Sequence, residues 1–465
     1  GTASDDNSSR QSTVAPLTPL SVLALPPAFS GVGRPSLNHH LNQPQKEAHG
    51  RYECPPSPSL SSSSSEDLSE SNNGAASASS SEASGSEGGE EDDEDSSSQT
   101  ECEDERTHQL SKLTRWGLSP PVWSKDSQWS QVATFNEFTA ILAQLQDILT
   151  EQLQKDNYNT FGNLLHFYNE FRASGVPNVE SFYRNYEAPI VSNGLSCVGL
   201  SFRIRDAIVE RLPTLRRAVV LASCEEWVEE LDEYVEQPDP GIDTVKEHVM
   251  LAVRILCQET NQKALVILDS GYHVPKTIVV TSDGLEPHTG RFVQSDTQKS
   301  RKEYEFRWKN DNYIQWVISE TRKGHTSTWN NLIYTGGNYG SSQGYSEKRN
   351  LIYDFRTVVA RDAGGPCAGV YVKFNEPNWS ASYTLFYKDL NGHRIEAKVP
   401  VHSVLQGAHI QCAGEIAKRL RISDDKFLIL LEDMARMYED RPFIRDLLFL
   451  NYAVDPFDQA KPLID

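Results

Sequence analysis

The sequence has no apolar stretch near the roughly 18 residues of a membrane-spanning helix, which excludes a helical membrane protein. It also has no region of basic excess: 44 Lys and Arg stand against 65 Asp and Glu, and the net charge is -21 at pH 7. Binding to nucleic acid needs local positive charge, so a general nucleic-acid-binding function is excluded as well. Apolar residues make up only 38% of the 465 residues, which predicts that part of the chain does not pack into a core.

The cysteines lack the spacing of a metal or disulfide framework. There is no C-x-x-C pair and no zinc-finger arrangement of Cys and His, and the number of cysteines is odd. His393, His402 and His409 show no metal-ligand pattern either, so we expect no metal. Free thiols are typical of a reducing compartment, which predicts the cytoplasm, with the nucleus as an alternative. The seven cysteines are Cys54, Cys102, Cys197, Cys224, Cys257, Cys367 and Cys412.

Residues 1–110 differ in composition from the rest of the chain. They contain 19 acidic and 5 basic residues, with an uninterrupted acidic run at 90–95, whereas the other 355 residues contain 46 acidic and 39 basic ones. A segment so poor in apolar residues cannot offset its ordering entropy, so we predict a disordered acidic arm. The negative charge of such an arm favours a basic protein as its partner. Because the chain begins with Gly1, we also expect its natural N-terminus, with any signal peptide, to lie upstream.

The remaining sequence predicts an α+β fold with three parts. Residues 111–262 are mainly helical, with apolar residues at helical spacing in 135–154 and 160–173. Residues 263–413 are rich in short strands, which indicates an antiparallel, barrel-like sheet, and 414–465 form a C-terminal helical part. The predicted strands are 264–268, 277–281, 313–318, 351–355, 370–374 and 383–387, and the predicted C-terminal helices are 414–420 and 424–438.

A glycine-rich stretch at 334–345 invites comparison with a phosphate-binding loop. It lacks the Lys-Ser/Thr ending of that motif and no strand-then-helix frame is predicted around it, so we interpret it as a flexible hairpin loop. Such a loop could cover the mouth of an active site.

Cys197 is the candidate nucleophile. Gly194 precedes it in a turn, Ser196 is a suitable N-cap, and residues 197–208 have a helical pattern. This places Cys197 in the first turn of a helix, where the macrodipole favours a thiolate. Catalysis by a thiol further needs a His to take the proton and an acid or amide to orient that His.

His248 and Asp269 are the candidates for those two roles. His248 directly precedes the apolar segment 249–257, and Asp269 directly follows the apolar segment 264–268. The residues 258–263 between the segments suit a hairpin. Because the start of one antiparallel strand meets the end of its neighbour, we expect His248 and Asp269 to lie side by side. His273 is a second-ranked alternative base.

Cys197 and the runs 248–253 and 268–272 resemble the Cys–His–Asp series of arylamine N-acetyltransferases, which belong with the papain-like and transglutaminase-like thiol enzymes. The resemblance implies a nucleophile at the head of a helix, a His leading a strand, and an Asp that precedes a Gly in the next strand. The spacings of 51 and 21 residues are somewhat longer than is usual in that family. The likeness extends over about residues 130–465, where the run 287–292 and the following strands look like the family's barrel domain.

Two positions differ from the family pattern. Its Arg-Gly-Gly ahead of the Cys becomes Asn193-Gly194-Leu195-Ser196, and the second Gly after the Asp becomes His273. Glycine allows close approach of a ligand to the backbone, so we expect His273 to obstruct or alter the cofactor pocket. No residue is assigned to cofactor binding.

The sequence leaves three functions open. The first is acyl transfer through Cys197 to a small-molecule or peptide amine, with acetyl-CoA as the donor that the resemblance implies. The second is a thiol hydrolase or transglutaminase-like enzyme, which shares the triad and uses another donor. The third is an interaction scaffold that retains the enzyme fold without activity.

Overall fold

The computed structural model describes residues 113–454 except 191–194, 227, 229, 238, 242–243, 245, 297–299, 375–380, 404 and 406. The predicted acidic arm and Asn193-Gly194 therefore lie outside the described residues. All of the described residues belong to one compact unit.

Nine helices that lie wholly within the described residues flank two sheets, and capping groups determine where they begin and end. The first helix begins after Thr134, whose side chain accepts from the Glu137 backbone N–H at 3.1 Å. The second ends at Gly175, which has a left-handed φ of 70°. The helices are α1 Phe135–Lys155, α2 Phe161–Ser174, α3 Val179–Asn185, α4 Cys197–Arg211, α5 Leu231–Glu236, α6 Gln343–Ile352, α7 Ala408–Leu420, α8 Asp424–Glu439 and α9 Arg441–Val454.

The larger sheet has nine strands and positions the candidate site. Eight run in the antiparallel order β6-β5-β4-β3-β10-β9-β8-β7, and β1 extends it by pairing parallel to β4. The sheet curls into a half-barrel, since β6 also contacts β8. Its strands are β1 Ser130–Val132, β3 Val219–Glu225, β4 Val249–Cys257, β5 Gln262–Leu268, β6 Ile278–Thr281, β7 Phe292–Asp296, β8 Ser300–Trp308, β9 Tyr313–Arg322 and β10 His325–Tyr334.

The smaller sheet connects the N-terminal helices with the C-terminal ones. Its five strands follow the antiparallel order β14-β13-β12-β11-β2. The helices α2, α8 and α9 share a buried apolar cluster with this sheet. Its strands are β2 Tyr158–Asn159, β11 Phe355–Asp362, β12 Gly365–Lys373, β13 Ser382–Lys388 and β14 Arg394–Pro400.

The predicted α+β class with N-terminal helices, a curled antiparallel sheet and C-terminal helices is confirmed. Apolar residues of α1 and α4 pack on one face of β3, β4 and β5, as in the buried cluster that contains Ile148, Ile204 and Val253. An aromatic cluster with Tyr304 and Trp316 fills the other, concave face. Both faces of β4 are thus covered, which explains why its sequence is apolar except at Arg254 and does not alternate.

Three local predictions were wrong. Leu351 and Ile352 end the helix α6 and the strand begins only at Phe355, because a short apolar run has no period that separates helix from strand. The glycine-rich stretch 334–345 is no hairpin: it connects β10 to α6 through a short 3₁₀ turn, Tyr339–Ser341. The helix α9 was missed, since only two helices, 414–420 and 424–438, were predicted in the C-terminal helical part.

None of the helices in the described part combines the length and apolar composition that a bilayer crossing requires.

Candidate active site

Cys197 is the first residue of α4, as the sequence predicts. Ser196 is the N-cap, and its hydroxyl accepts from the Val198 backbone N–H at 3.1 Å. Leu200 N–H closes the first turn on the Ser196 carbonyl at 3.0 Å. The Cys197 side chain is 3% exposed and belongs to the apolar cluster between α1, α4 and the sheet. The thiol therefore lies at the positive end of the helix dipole, in a largely dry environment.

His248 and Asp269 meet at one end of the β4–β5 hairpin. Leu251 pairs with Leu268, so the residue before β4 and the residue after β5 share an edge of the sheet. His248 Nε2 lies 3.1 Å from Asp269 Oδ1, and both side chains are buried. The Tyr272 backbone N–H donates to the same carboxylate oxygen at 3.0 Å and holds it in place.

Gly271 lies next to both Cys197 and His248, and its lack of a side chain leaves room for them. A Cβ atom added to Gly271 would lie 2.5 Å from Cys197 Cβ and 2.8 Å from His248 Cε1. Cε1 separates the two ring nitrogens, and Nε2 is the nitrogen that lies 3.1 Å from Asp269 Oδ1. The structure therefore brings all three predicted residues together, with the imidazole between the thiol and the carboxylate.

The charges of the two neighbours control the protonation of His248. Burial lowers its pKa, but the charge and hydrogen bond of Asp269, followed by the hydrogen bond and charge of Cys197, raise the pKa from 6.5 to about 10. His248 is therefore an imidazolium at neutral pH when Cys197 is a thiolate. This charge pair is the reactive form of a catalytic cysteine.

Two further groups contact the sulfur. The thiol donates to the Glu247 carbonyl at 3.5 Å, and Asn350 Nδ2 lies 3.8 Å from Sγ. The same amide donates to the carbonyls of Glu247 and Ser346, both at 2.9 Å, which fixes its orientation. Asn350 is 153 residues from Cys197 along the chain, and its position within α6 gave no sequence pattern that could reveal it.

An aromatic stack covers the face of the imidazole. Tyr272 lies parallel to His248, with 3.7 Å between ring centroids and 12° between planes. The Tyr272 hydroxyl donates to Glu226 Oε1 at 2.8 Å. Trp316 lies 5.3 Å from Tyr272 between centroids and closes the stack toward the concave side of the half-barrel. This wall restricts the rotation of His248.

His273, the alternative base, takes no part in the contact with Asp269. Its Nδ1 lies 3.4 Å from a guanidinium nitrogen of Arg361, and its ring meets Tyr158 edge-on at 5.2 Å. Burial and the charges of Arg361 and His248 lower the pKa of His273, so the ring is neutral. Its φ of 60° is left-handed, a conformation that glycine adopts without strain.

Tyr158 is a neighbour of the site that the sequence analysis missed. Its ring meets His273 edge-on at 5.2 Å, and burial raises its pKa, with the charge of Cys197 as the next cause. Tyr158 lies in β2, a strand of two residues that pairs with β11. So short a strand has no detectable alternation.

A buried carboxylate supports the N-cap of the nucleophile helix. Glu347 of α6 accepts a hydrogen bond from the Ser196 hydroxyl and another from Asn163 Nδ2 at 2.6 Å. Burial raises the pKa of Glu347 to about 7, against the effects of these hydrogen bonds and of Arg356. Glu347 therefore changes charge near neutral pH, one hydrogen bond away from the residue that caps α4.

Replacing Glu347 by Gln should make the protein less sensitive to alkaline pH. The folded pKa lies above the unfolded value of 4.5, so the contribution of Glu347 to stability is complete below pH 4.5 and is lost as the pH rises through about 7. We expect the free energy of unfolding of Glu347→Gln, relative to wild type, to increase by about 2 kcal/mol from pH 5 to pH 8. Denaturant unfolding at both pH values measures this.

The exposed Glu432 of α8 provides the matched control. Glu432→Gln removes one negative charge at a solvent-exposed position. Its free energy of unfolding should follow the wild-type pH dependence. Parallel pH curves for Glu347→Gln and wild type would show that Glu347 does not titrate in this range.

No group of three or more potential metal ligands is present among the residues that the structure describes.

The fold is similar to that of solved arylamine N-acetyltransferases. One such structure, from Mycobacterium smegmatis, matches with 11% identity and a TM-score of 0.34, over 70% of this chain and 97% of its own. Those from Nocardia farcinica (12% identity, TM-score 0.34) and M. tuberculosis (13%, 0.32) each match 62% of this chain and 86% and 93% of their own. No family model and no curated protein matches. Similarity at this level concerns the fold alone, and the chemistry depends on the side chains.

Proposed function

We propose that this protein is a thiol-dependent acyltransferase in which Cys197 carries the acyl group and passes it to an amine. The observation that supports this most is that His248 lies between Cys197 and Asp269, with its Nε2 3.1 Å from the Asp269 carboxylate. A nucleophile, a base and an orienting acid in this order are the parts that covalent thiol catalysis requires.

In the acylation step the Cys197 thiolate attacks the carbonyl carbon of the donor. A C–S bond forms, and the bond between that carbon and the leaving thiolate or alkoxide breaks. His248 holds the proton taken from the thiol and gives it to the leaving group. Asp269 keeps the ring oriented and stabilises its positive charge, while the N-terminus of α4 favours the developing negative charge.

In the second step an amine attacks the thioester. The C–N bond forms, the C–S bond breaks, and the amine loses a proton to His248 while Cys197 leaves as a thiolate. The thiolate and imidazolium are then restored for another cycle. As the first donor to test we propose acetyl-CoA, which the sequence resemblance suggests.

Intact-mass analysis tests this function directly. The protein is mixed with acetyl-CoA, and separately with p-nitrophenyl acetate, and the modified peptide is identified after quenching. We expect one acetyl group per chain, on Cys197, in the absence of an amine and its rapid loss when an amine is added. Cys197→Ser should carry no thioester.

Cys367→Ser is the control, because Cys367 is also buried and lies in the smaller sheet. It should acylate as wild type does. Acylation spread over several cysteines, or none with either donor, would contradict the proposal and favour the scaffold. A thioester that water removes as fast as amines do would indicate a hydrolase.

A further inference from the structure

Glu226 is a carboxylate at the site that the proposed reaction does not use. It follows β3, in which the Cys224 backbone N–H donates to the His248 carbonyl at 3.0 Å. Side chains alternate along a strand, so Glu226 continues on the face of Cys224, the concave face of the half-barrel. The Tyr272 hydroxyl donates to Glu226 Oε1 at 2.8 Å, and the same phenol stacks on His248.

Glu226 differs in its partners from Glu225, Glu247 and Asp269, the acids nearest to it around His248. Glu225 contacts Lys246 at 2.7 Å, Glu247 contacts Arg349 at 2.5 Å, and Asp269 contacts His248. Among the described residues, no Lys or Arg side chain pairs with Glu226, whose one hydrogen bond comes from a neutral phenol. The nearby imidazolium of His248 is already paired with Asp269.

A partly buried carboxylate without a cationic partner is costly, because desolvation penalises its charge. A cation that enters the site would offset that penalty. The acceptor of acyl transfer is an amine, and aliphatic amines are ammonium ions at neutral pH whereas aromatic amines are neutral. The charge of Glu226 therefore distinguishes the two classes of acceptor.

We propose that Glu226 binds the ammonium group of the acceptor, so that the site takes primary aliphatic amines in preference to aromatic amines. This inference rests on the acyl transfer proposed above. Tyr272 is a positioning residue: it fixes the carboxylate through its hydroxyl and the imidazole through its ring.

The carboxylate also provides a path for the proton that an ammonium ion must lose. The ammonium gives one proton to Glu226, and the free amine attacks the thioester carbonyl. The C–N bond forms, the C–S bond breaks, the second amine proton goes to His248, and Cys197 leaves as a thiolate. Burial raises the pKa of Glu226 to about 7, which suits a group that accepts a proton near neutral pH.

Single-turnover deacylation tests the preference. Cys197 is acetylated with p-nitrophenyl acetate, excess reagent is removed, and the thioester is chased with butylamine or with p-anisidine. We expect the ratio of the two rate constants, aliphatic over aromatic, to fall by at least about tenfold in Glu226→Gln. Tyr272→Phe, which removes only the hydrogen bond to Glu226, should lower the ratio less.

Glu210→Gln is the matched control. Glu210 is exposed and lies 13 residues from Cys197 on the same helix, or about 20 Å along its axis. It should keep the wild-type ratio, which excludes an effect of net charge alone. An unchanged ratio in Glu226→Gln would overturn the inference while leaving acyl transfer intact.

A binding experiment separates this inference from the proposed function. Butylammonium is titrated into wild type, Glu226→Gln and Glu210→Gln and followed by calorimetry, with butanol as the neutral probe. We expect Glu226→Gln to weaken butylammonium binding at least about tenfold and butanol binding little. If Cys197 is never acylated but this difference is found, the cation site stands and acyl transfer fails. Equal binding by all three proteins overturns the cation site.

Discussion

Replacing His248 by Gln should slow the acylation of Cys197 by about 10³-fold, within the range typical of a positioned general acid–base group. Gln fills much of the same space beside Tyr272 but cannot hold the thiol proton or place a positive charge beside the sulfur. Asp269→Asn should slow acylation less, by about 10- to 100-fold, because Asp269 acts on Cys197 only through the imidazole. The burst phase with p-nitrophenyl acetate, followed by stopped flow, measures both rates.

Alkylation of Cys197 should be slowed by His248→Gln and Asp269→Asn in the same order as acylation is, and it needs no acyl donor. Cys197 should react with iodoacetamide at pH 7 faster than Cys367 or Cys412, although it is no more exposed than either. Burial raises the pKa of the Cys412 thiol to about 11 and also raises that of Cys367, so these two stay protonated. Peptide mass mapping distinguishes the sites. If Cys197 reacts no faster than they do, and neither His248→Gln nor Asp269→Asn changes its rate, the three residues form no catalytic unit.

Replacing Gly271 by Ala should abolish the productive contact between the nucleophile and the base. The new methyl group would lie 2.5 Å from Cys197 Cβ, 2.8 Å from His248 Cε1 and 3.2 Å from Cys197 Cα. Cys197 Cα is backbone and Cβ is bonded to it, so the clash moves the start of α4 and cannot be relieved by one rotamer of His248. We expect a loss of about 100-fold or more in acylation and of about 1–3 kcal/mol in the free energy of unfolding.

Gly290→Ala is the matched control for this substitution. An added Cβ at Gly290 meets no atom within 4 Å, so both stability and acylation should stay near wild type. Wild-type acylation by Gly271→Ala would show that Cys197 and His248 need not approach each other as closely as the structure places them.

The hairpin that carries His248 and Asp269 was predictable because its information is local. Two apolar runs joined by a short polar segment specify antiparallel neighbours, and the residues just outside the runs must then meet. Cys197 was predictable for a similar reason, since Ser196 satisfies the backbone of the following helical turn. The predicted strand 351–355 was wrong because a short apolar run has no distinctive period. The helix α9 was missed although its buried residues Phe443, Ile444 and Leu447 recur at helical spacing.

The sequence by itself determined the α+β class, the amphipathic helices and the edge of the sheet that bears His248 and Asp269, because period, capping and hairpin formation act over a few residues. Only the tertiary structure decided what surrounds the thiol. Asn350 and Glu347 reach Cys197 and Ser196 from α6, more than 150 residues away, and Tyr272 joins Glu226 to His248 across three separate segments. Such neighbours arise from the packing of helices on a curled sheet, and the local sequence pattern does not specify those distances.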